Sequence, residues 1–179
     1  LVALSLAREK EDGTMDQLLI TPFSPVEILA AKGVAGVVVG LMQLAFCMLV
    51  VHFWYRIPYL SGYGPLGLLF VTFLMAAVGI GLAVSVYCSS LQQAMIGTFL
   101  FALPLAMLSG MATPVSCMPD AIRPIALLNP IRWSIEALHR LFLEGATYSD
   151  ILPTYLILGS IGVVTFTFAC ASFIAQRRR

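Results

Sequence analysis

The amino-acid sequence predicts an all-α integral membrane protein, and three observations carry that reading. Of the 179 residues, 60% are hydrophobic and 11% charged, with a mean hydropathy of +0.95, against about half apolar and about a quarter charged in a soluble domain. The charges are also segregated, since none lies between Arg56 and Asp120 or between Asp150 and Arg177. These stretches have room for helices of roughly 20 residues, the length that crosses a hydrocarbon core. The expected architecture is four complete transmembrane helices plus a remnant of a preceding one, a cytoplasmic amphipathic helix, and an outer re-entrant or interfacial double helix.

Residues 1–7 are apolar and run straight into the charged cluster Arg8–Asp12. They read as the end of a membrane helix whose start precedes residue 1, so the chain is expected to be a C-terminal part of a longer protein. A signal peptide would place its positive charge before the apolar run, and this one does not.

Residues 8–32 form an amphipathic connection. Thr14-x-x-Gln17 is a capping box that opens a short helix with Met15, Leu18 and Leu19 on one side, and Thr21-Pro22 closes it. A second box follows, with Ser24 as cap, Pro25 at the first helical position, Glu27 returning the bond, and Phe23 and Ile28 as a staple. This predicts a surface helix and then a sharp corner into the first span. The segment is either a linker or a docking element that presents Glu9, Glu11, Asp12 and Asp16 beside exposed leucines.

Residues 33–112 hold three spans: Gly33–Tyr55, Pro65–Tyr87 and Ala94–Ala112, the last interrupted by Pro104. Gly62–Pro65 and Cys88–Gln93 supply the turns. Gly36-x-x-x-Gly40 and Ala77-x-x-x-Gly81 predict close helix packing within one subunit, with a dimer seam as the alternative. Gln43, Thr72, Ser85, Thr98, Ser109 and Thr165 are read as helix-to-helix hydrogen-bonding groups before they are read as a substrate path.

The outer segment, 113–150, is too proline-rich for one straight helix. Pro119 opens a first short helix, Asn129-Pro130 opens a second as cap and first residue, and Gly145 ends it. Arg132, Glu136, Arg140 and Glu144 recur every four residues with alternating sign, which predicts a self-neutralising ladder. Ile131, Ile135, Leu138 and Phe142 predict the apolar stripe. The segment is expected to cap the outer mouth, with direct substrate contact as the alternative. Residues 151–179 are the last span, Ile151–Ala175, and a basic tail.

Four crossings place Arg8, Lys10, Lys32 and Arg177, Arg178 and Arg179 on one side, and Arg56, Arg123, Arg132 and Arg140 on the other. The triple arginine and Lys32 mark the first side as cytoplasmic. A net charge of +1 leaves no basic excess for nucleic acid. Lys10 and Lys32 are followed by Glu11 and Gly33, so neither fits a phosphate-binding G-x-x-x-x-G-K-[ST] loop. His52 and His139 are single, the four cysteines are widely spaced, and no G-x-S-x-G elbow occurs, which argues against metal, redox or hydrolytic chemistry.

Arg8-Glu9-Lys10-Glu11-Asp12-Gly13-Thr14, with Leu18-Leu19 and Thr21-Pro22, resembles the cytoplasmic connection between the second and third spans of ABC-2 type permeases, the membrane subunits of type-2 ABC exporters. Leu108-Ser109-Gly110, Pro114, Met118-Pro119 and Asn129-Pro130-Ile131 resemble that family's outer loop before its last span. Within the family the chain is most similar to bacterial inner-membrane permeases of multidrug exporters.

The resemblance implies a dimeric or paired permease in the bacterial inner membrane, with ATP bound and hydrolysed on a separate ABC ATPase subunit. This chain would then be no enzyme and bind no cofactor itself. It implies that Thr14–Thr21 is the coupling helix, so that Glu9, Glu11, Thr14, Asp16, Leu18 and Leu19 meet the ATPase. The outer gate would comprise Pro119, Asn129, Pro130, Arg132, Glu136, Arg140 and Glu144. Membrane lipid is the remaining partner. A non-transporting membrane scaffold and an inactive fragment are the alternatives, while an ion channel would need charge rings or a filter loop that the sequence lacks.

Overall fold

A computed structural model describes residues 2–13, 24–56, 62–111 and 123–177, and every regular element among them is helical. In chain order these are α1 (Val2–Glu11), α2 (Pro25–Phe53), α3 (Tyr63–Tyr87), α4 (Leu91–Met107), α5 (Arg123–Leu127), α6 (Pro130–His139) and α7 (Tyr148–Arg177). A π-helical turn, Arg140–Glu144, continues α6. Three helices, α2, α3 and α7, are long and apolar enough to cross a membrane. At 17 residues α4 is shorter, about 25 Å at the α-helical rise.

The second capping box forms as expected, but it opens a different element. The Ser24 side chain accepts from the Glu27 amide at 3.3 Å, and the Glu27 carboxylate accepts from the Ser24 amide at 2.7 Å. The helix that follows runs 29 residues without a break, so the first span starts at Pro25 instead of Gly33, while the expected corner after Thr21 lies outside the described residues. Nothing between Val26 and Lys32 lacks an amide hydrogen, and Ala30, Ala31 and Lys32 are strong helix formers, so the turn started at Ser24 propagates into the span.

α3 and α7 make the most extensive helix pair. The crossing is close because it is built on glycine. A Cβ added at Gly79 would collide with the Thr165 hydroxyl, and one at Gly162 would sit 3.2 Å from the Ala76 nitrogen. Near Gly145 this pair, joined by α6, encloses an apolar cluster of Leu66, Leu69, Ala137, Leu141, Ile151 and Leu158. At the opposite end Leu6, Leu29, Leu82, Val86 and Phe173 form a second cluster around α1.

α1 is a wedge between α2, α3 and α4, with Leu6 and Ala7 fully buried. The buried Ser85 hydroxyl donates to the Ala3 carbonyl at 2.7 Å. It alone of the six span polar residues bonds to another helix among the described hydrogen bonds. Thr72, Thr98 and Thr165 bond carbonyls three or four residues back on their own helices, and Ser109 bonds Ala106. The third span begins at Leu91 instead of Ala94, under a Ser90 cap, and ends at Met107. Beyond its first turn its apolar side chains are largely exposed, including Ile96, Phe99, Leu100 and Leu103.

Candidate functional site

The sequence-predicted functional residues fall at opposite ends of the bundle. Thr14, Asp16, Leu18, Leu19 and Pro119, with the first capping box, lie outside the described residues. Glu9 and Glu11 lie at the end of α1, and Asn129 through Glu144 lie at the other end of the molecule.

At the α1 end, both acids are engaged within the chain. The Glu9 carboxylate pairs with the Lys32 ammonium of α2 at 2.6 Å, and Lys32 also donates to the Ser5 hydroxyl at 3.1 Å. Glu11 accepts from the Leu91 amide at 2.7 Å, at the start of α4. Between them Lys10 reaches the end of α3, donating to the Val86 carbonyl at 2.6 Å and the Cys88 carbonyl at 3.2 Å. Burial holds the Lys10 ammonium below the usual lysine pKa, opposed by the electrostatic influence of nearby Cys88. Sequence reasoning missed Lys10. The available signal was a lysine closing an apolar helix among acids, a pattern that solvated helix ends share. Asp12 and Arg8 form an exposed pair at 3.8 Å, and Gly13 closes α1 at φ +67.

At the other end Asn129 holds two helices. Its side-chain oxygen accepts from the Ile131 amide at 3.0 Å, capping α6, with Pro130 at the first position. Its amide donates to the Leu105 carbonyl at 2.6 Å, among the last carbonyls of α4. The Trp133 indole donates to the Leu127 carbonyl at 2.7 Å, fixing α6 against the end of α5. Gly145 ends the π turn in the left-handed region, φ 64.

Two expectations for α6 change. Glu136 and Arg140 pair at 2.9 Å, yet no Arg132–Glu136 or Arg140–Glu144 pair forms among the described residues. Arg132 lies against the Trp133 ring, 5.7 Å from its centroid. From Arg140 the backbone widens into the π turn, which removes the i,i+4 adjacency that Glu144 would need. The buried face is also rotated by one residue. Pro130, Ser134, Ala137 and Leu141 are buried, while Ile131, Ile135, Leu138 and Phe142 flank them half-buried. The small Ser134 and Ala137 allow the close approach, and the larger side chains fill in around them.

Between α2, α3 and α7 runs an open apolar groove of about 390 Å³, lined by residues such as Gly33, Val37, Val78, Gly79 and Phe166. Its chemistry suits hydrocarbon. No cluster of three metal-ligating residues occurs among the described residues.

Long apolar helices tied together by polar knots at their ends define a polytopic helical membrane protein. The chain matches the model of the ABC-2 family transporter protein over residues 1–171 and belongs to that family, the membrane permeases of ABC transporters. It is similar to Probable multidrug ABC transporter permease YbhR of Escherichia coli, with 34% identity over 178 residues, covering 99% of this chain and 47% of that protein. Inner membrane transport permease YhhJ of the same organism is 33% identical over 97% of this chain and 46% of its own length. Linearmycin resistance permease protein LnrN of Bacillus subtilis is 27% identical over 90% of this chain and 42% of its own. The chain thus spans about half the length of the curated relatives it matches. No solved structure matches it.

Proposed function

We propose that the chain is the transmembrane part of an ATP-driven ABC-2 exporter, in which a separate ABC ATPase subunit hydrolyses ATP and this chain converts the stroke into substrate export. The observation that supports this is the family match, which runs through both ends of the bundle. ATP sits on the partner, and no cofactor binds here. In this reading α2, α3, α4 and α7 are four crossings, α4 lying near the lower limit of about 17 residues. The Lys10 end then faces the cytoplasm of a bacterial inner membrane together with the basic C-terminus, as the excess of basic residues on that side favours. The segment Thr14–Thr21 docks on the ATPase, with Leu18 and Leu19 as apolar contacts. The helices α5 and α6 around Asn129 close the outer mouth, and Pro119 is assigned to the same gate. The permease acts as a homodimer or with a paired permease, surrounded by lipid. Amphiphilic drugs are the proposed substrates, following the words multidrug and linearmycin resistance in the relatives' names.

Reconstitution tests this directly. Proteoliposomes holding the protein and its ABC ATPase should move a fluorescent amphiphilic drug only when ATP is hydrolysed. An ATPase that binds the protein and turns over, with no ATP-driven movement of any member of a drug panel, would make the chain a scaffold.

A further inference from the structure

Two neighbouring residues of α1 hold the facing ends of two consecutive helices. Lys10 donates to the last carbonyls of α3, at Val86 and Cys88, while Glu11 accepts the first amide of α4, at Leu91. The signs match the helix dipoles, because a cation belongs at a C-terminus and an anion at an N-terminus. Ser90 completes the start of α4 by accepting from the Gln93 amide at 3.3 Å. The same ten-residue α1 is fixed to α2 through Glu9 and Lys32 and to α3 through Ser85. Everything that enters or leaves the connector 14–23 therefore attaches to one knotted block.

Among the described residues α4 makes few contacts beyond its first turn. Its first turn, with the buried Ala94, packs against α1 and α3, and the remainder exposes its apolar side chains. Its far end is held again, at Leu105, by the amide of Asn129, which in turn caps α6. A helix tied at both ends transmits axial and tilting displacement between the ties, since its backbone hydrogen bonds keep its length.

We propose that α4 is a connecting rod: Glu11 drives its start, Asn129 follows its end, and a displacement of the 14–23 connector reaches the outer helices through it. This rests on the ATPase-coupling reading above and assigns Glu11 a positioning role in place of a docking contact. The remainder of the coupling path then needs no contact between the ATPase and the acids of α1.

Spin labels test the rod. In a cysteine-free background of the complex with its ABC ATPase, W54C and H139C report the distance from the end of α2 to α6 at the outer end of the bundle. The expected result is a shift of this distance between the nucleotide-free and ATP-trapped states. Glu11→Ala should abolish the shift while the ATPase still co-purifies and hydrolyses ATP. Glu11→Gln, which keeps an oxygen to accept from Leu91 but no charge, should restore it. A merely structural role for Glu11 would lower yield in both variants without separating them.

Persistence of the shift in Glu11→Ala overturns the rod, as does its absence in the unmodified complex. Loss of ATPase co-purification in Glu11→Ala and Glu11→Gln alike also overturns it, because Glu11 would then be a charged docking residue. The coupling-helix reading fails separately, if Leu18→Asp with Leu19→Asp leaves co-purification intact.

Discussion

Tyr155 of α7 donates its hydroxyl to the Pro65 carbonyl of α3 at 2.9 Å, joining residues 90 positions apart at a buried site. Pro65 lies in the first turn of its helix, so the bond pins the start of α3 to α7 just where the two begin to cross. Tyr155→Phe keeps the ring and removes only the donor. It should lower stability by about 0.5–1.5 kcal/mol, seen as a reduced melting temperature in detergent. An unchanged melting temperature would mean that the hydroxyl contributes nothing to the crossing.

The glycines of α7 should behave unequally. Gly162 abuts the backbone of Ala76, whereas a Cβ at Gly159 meets nothing within 4 Å. Gly162→Leu forces the α3–α7 pair apart, at roughly 1–3 kcal/mol or more. Gly159→Ala should be neutral or stabilising by up to about 1 kcal/mol, from helix propensity alone. Equal melting temperatures for the two variants would contradict the crossing geometry.

Asn129 supplies both a donor and an acceptor from a position only 1% exposed. Asn129→Asp retains the acceptor for Ile131, but its ionised carboxylate cannot donate to Leu105. It should cost about 1–3 kcal/mol and loosen α6, read as faster amide exchange in residues 131–139. Wild-type exchange rates there would rule out the bridge.

Glu136 and Arg140 are each more than 40% exposed as side chains. Glu136→Ala should therefore cost only about 0.2–1 kcal/mol, with near-normal yield. The continuous ladder read from the sequence implied a larger loss, and the measured yield separates the two.

For the connector, Leu18→Asp with Leu19→Asp should leave membrane insertion normal and abolish co-purification with the ABC ATPase. Retained pull-down, with retained stimulation of ATP hydrolysis, would reduce the segment to a linker.

How much of this could be read in advance depended on whether the signal was local. The caps at Ser24 and Asn129 and the stop at Gly145 were legible, because a cap is satisfied within three residues of itself. The start of the first span was read at Gly33 instead of Pro25 because the charges of Glu27 and Lys32 mark the edge of the apolar stretch, whereas the helix itself starts at its cap. The α6 stripe was read one residue out of phase, since ranking by size favours Ile131 and Leu138 while the close approach selects Ser134 and Ala137. Lys10 was invisible for a different reason: its partners are carbonyls at Val86 and Cys88, and backbone groups leave no trace in residue identity. Of the candidate site, the Asn129 cap and the Gly145 stop were legible, whereas the engagement of Glu9 and Glu11 inside the chain required the fold.

The unbroken 29-residue α2 measures about 44 Å, longer than a hydrocarbon core of about 30 Å. The excess matches the turns from Pro25 to Lys32, which in a bilayer would reach the headgroup layer, braced there by Leu29 in the cluster around α1 and by Lys32 on Glu9. Hydrophobic mismatch acts on such a helix as a tilt. Short-chain lipids would leave more of these turns outside the hydrocarbon and long-chain lipids would draw them in, so acyl-chain length would set the height at which Ser24 meets the connector.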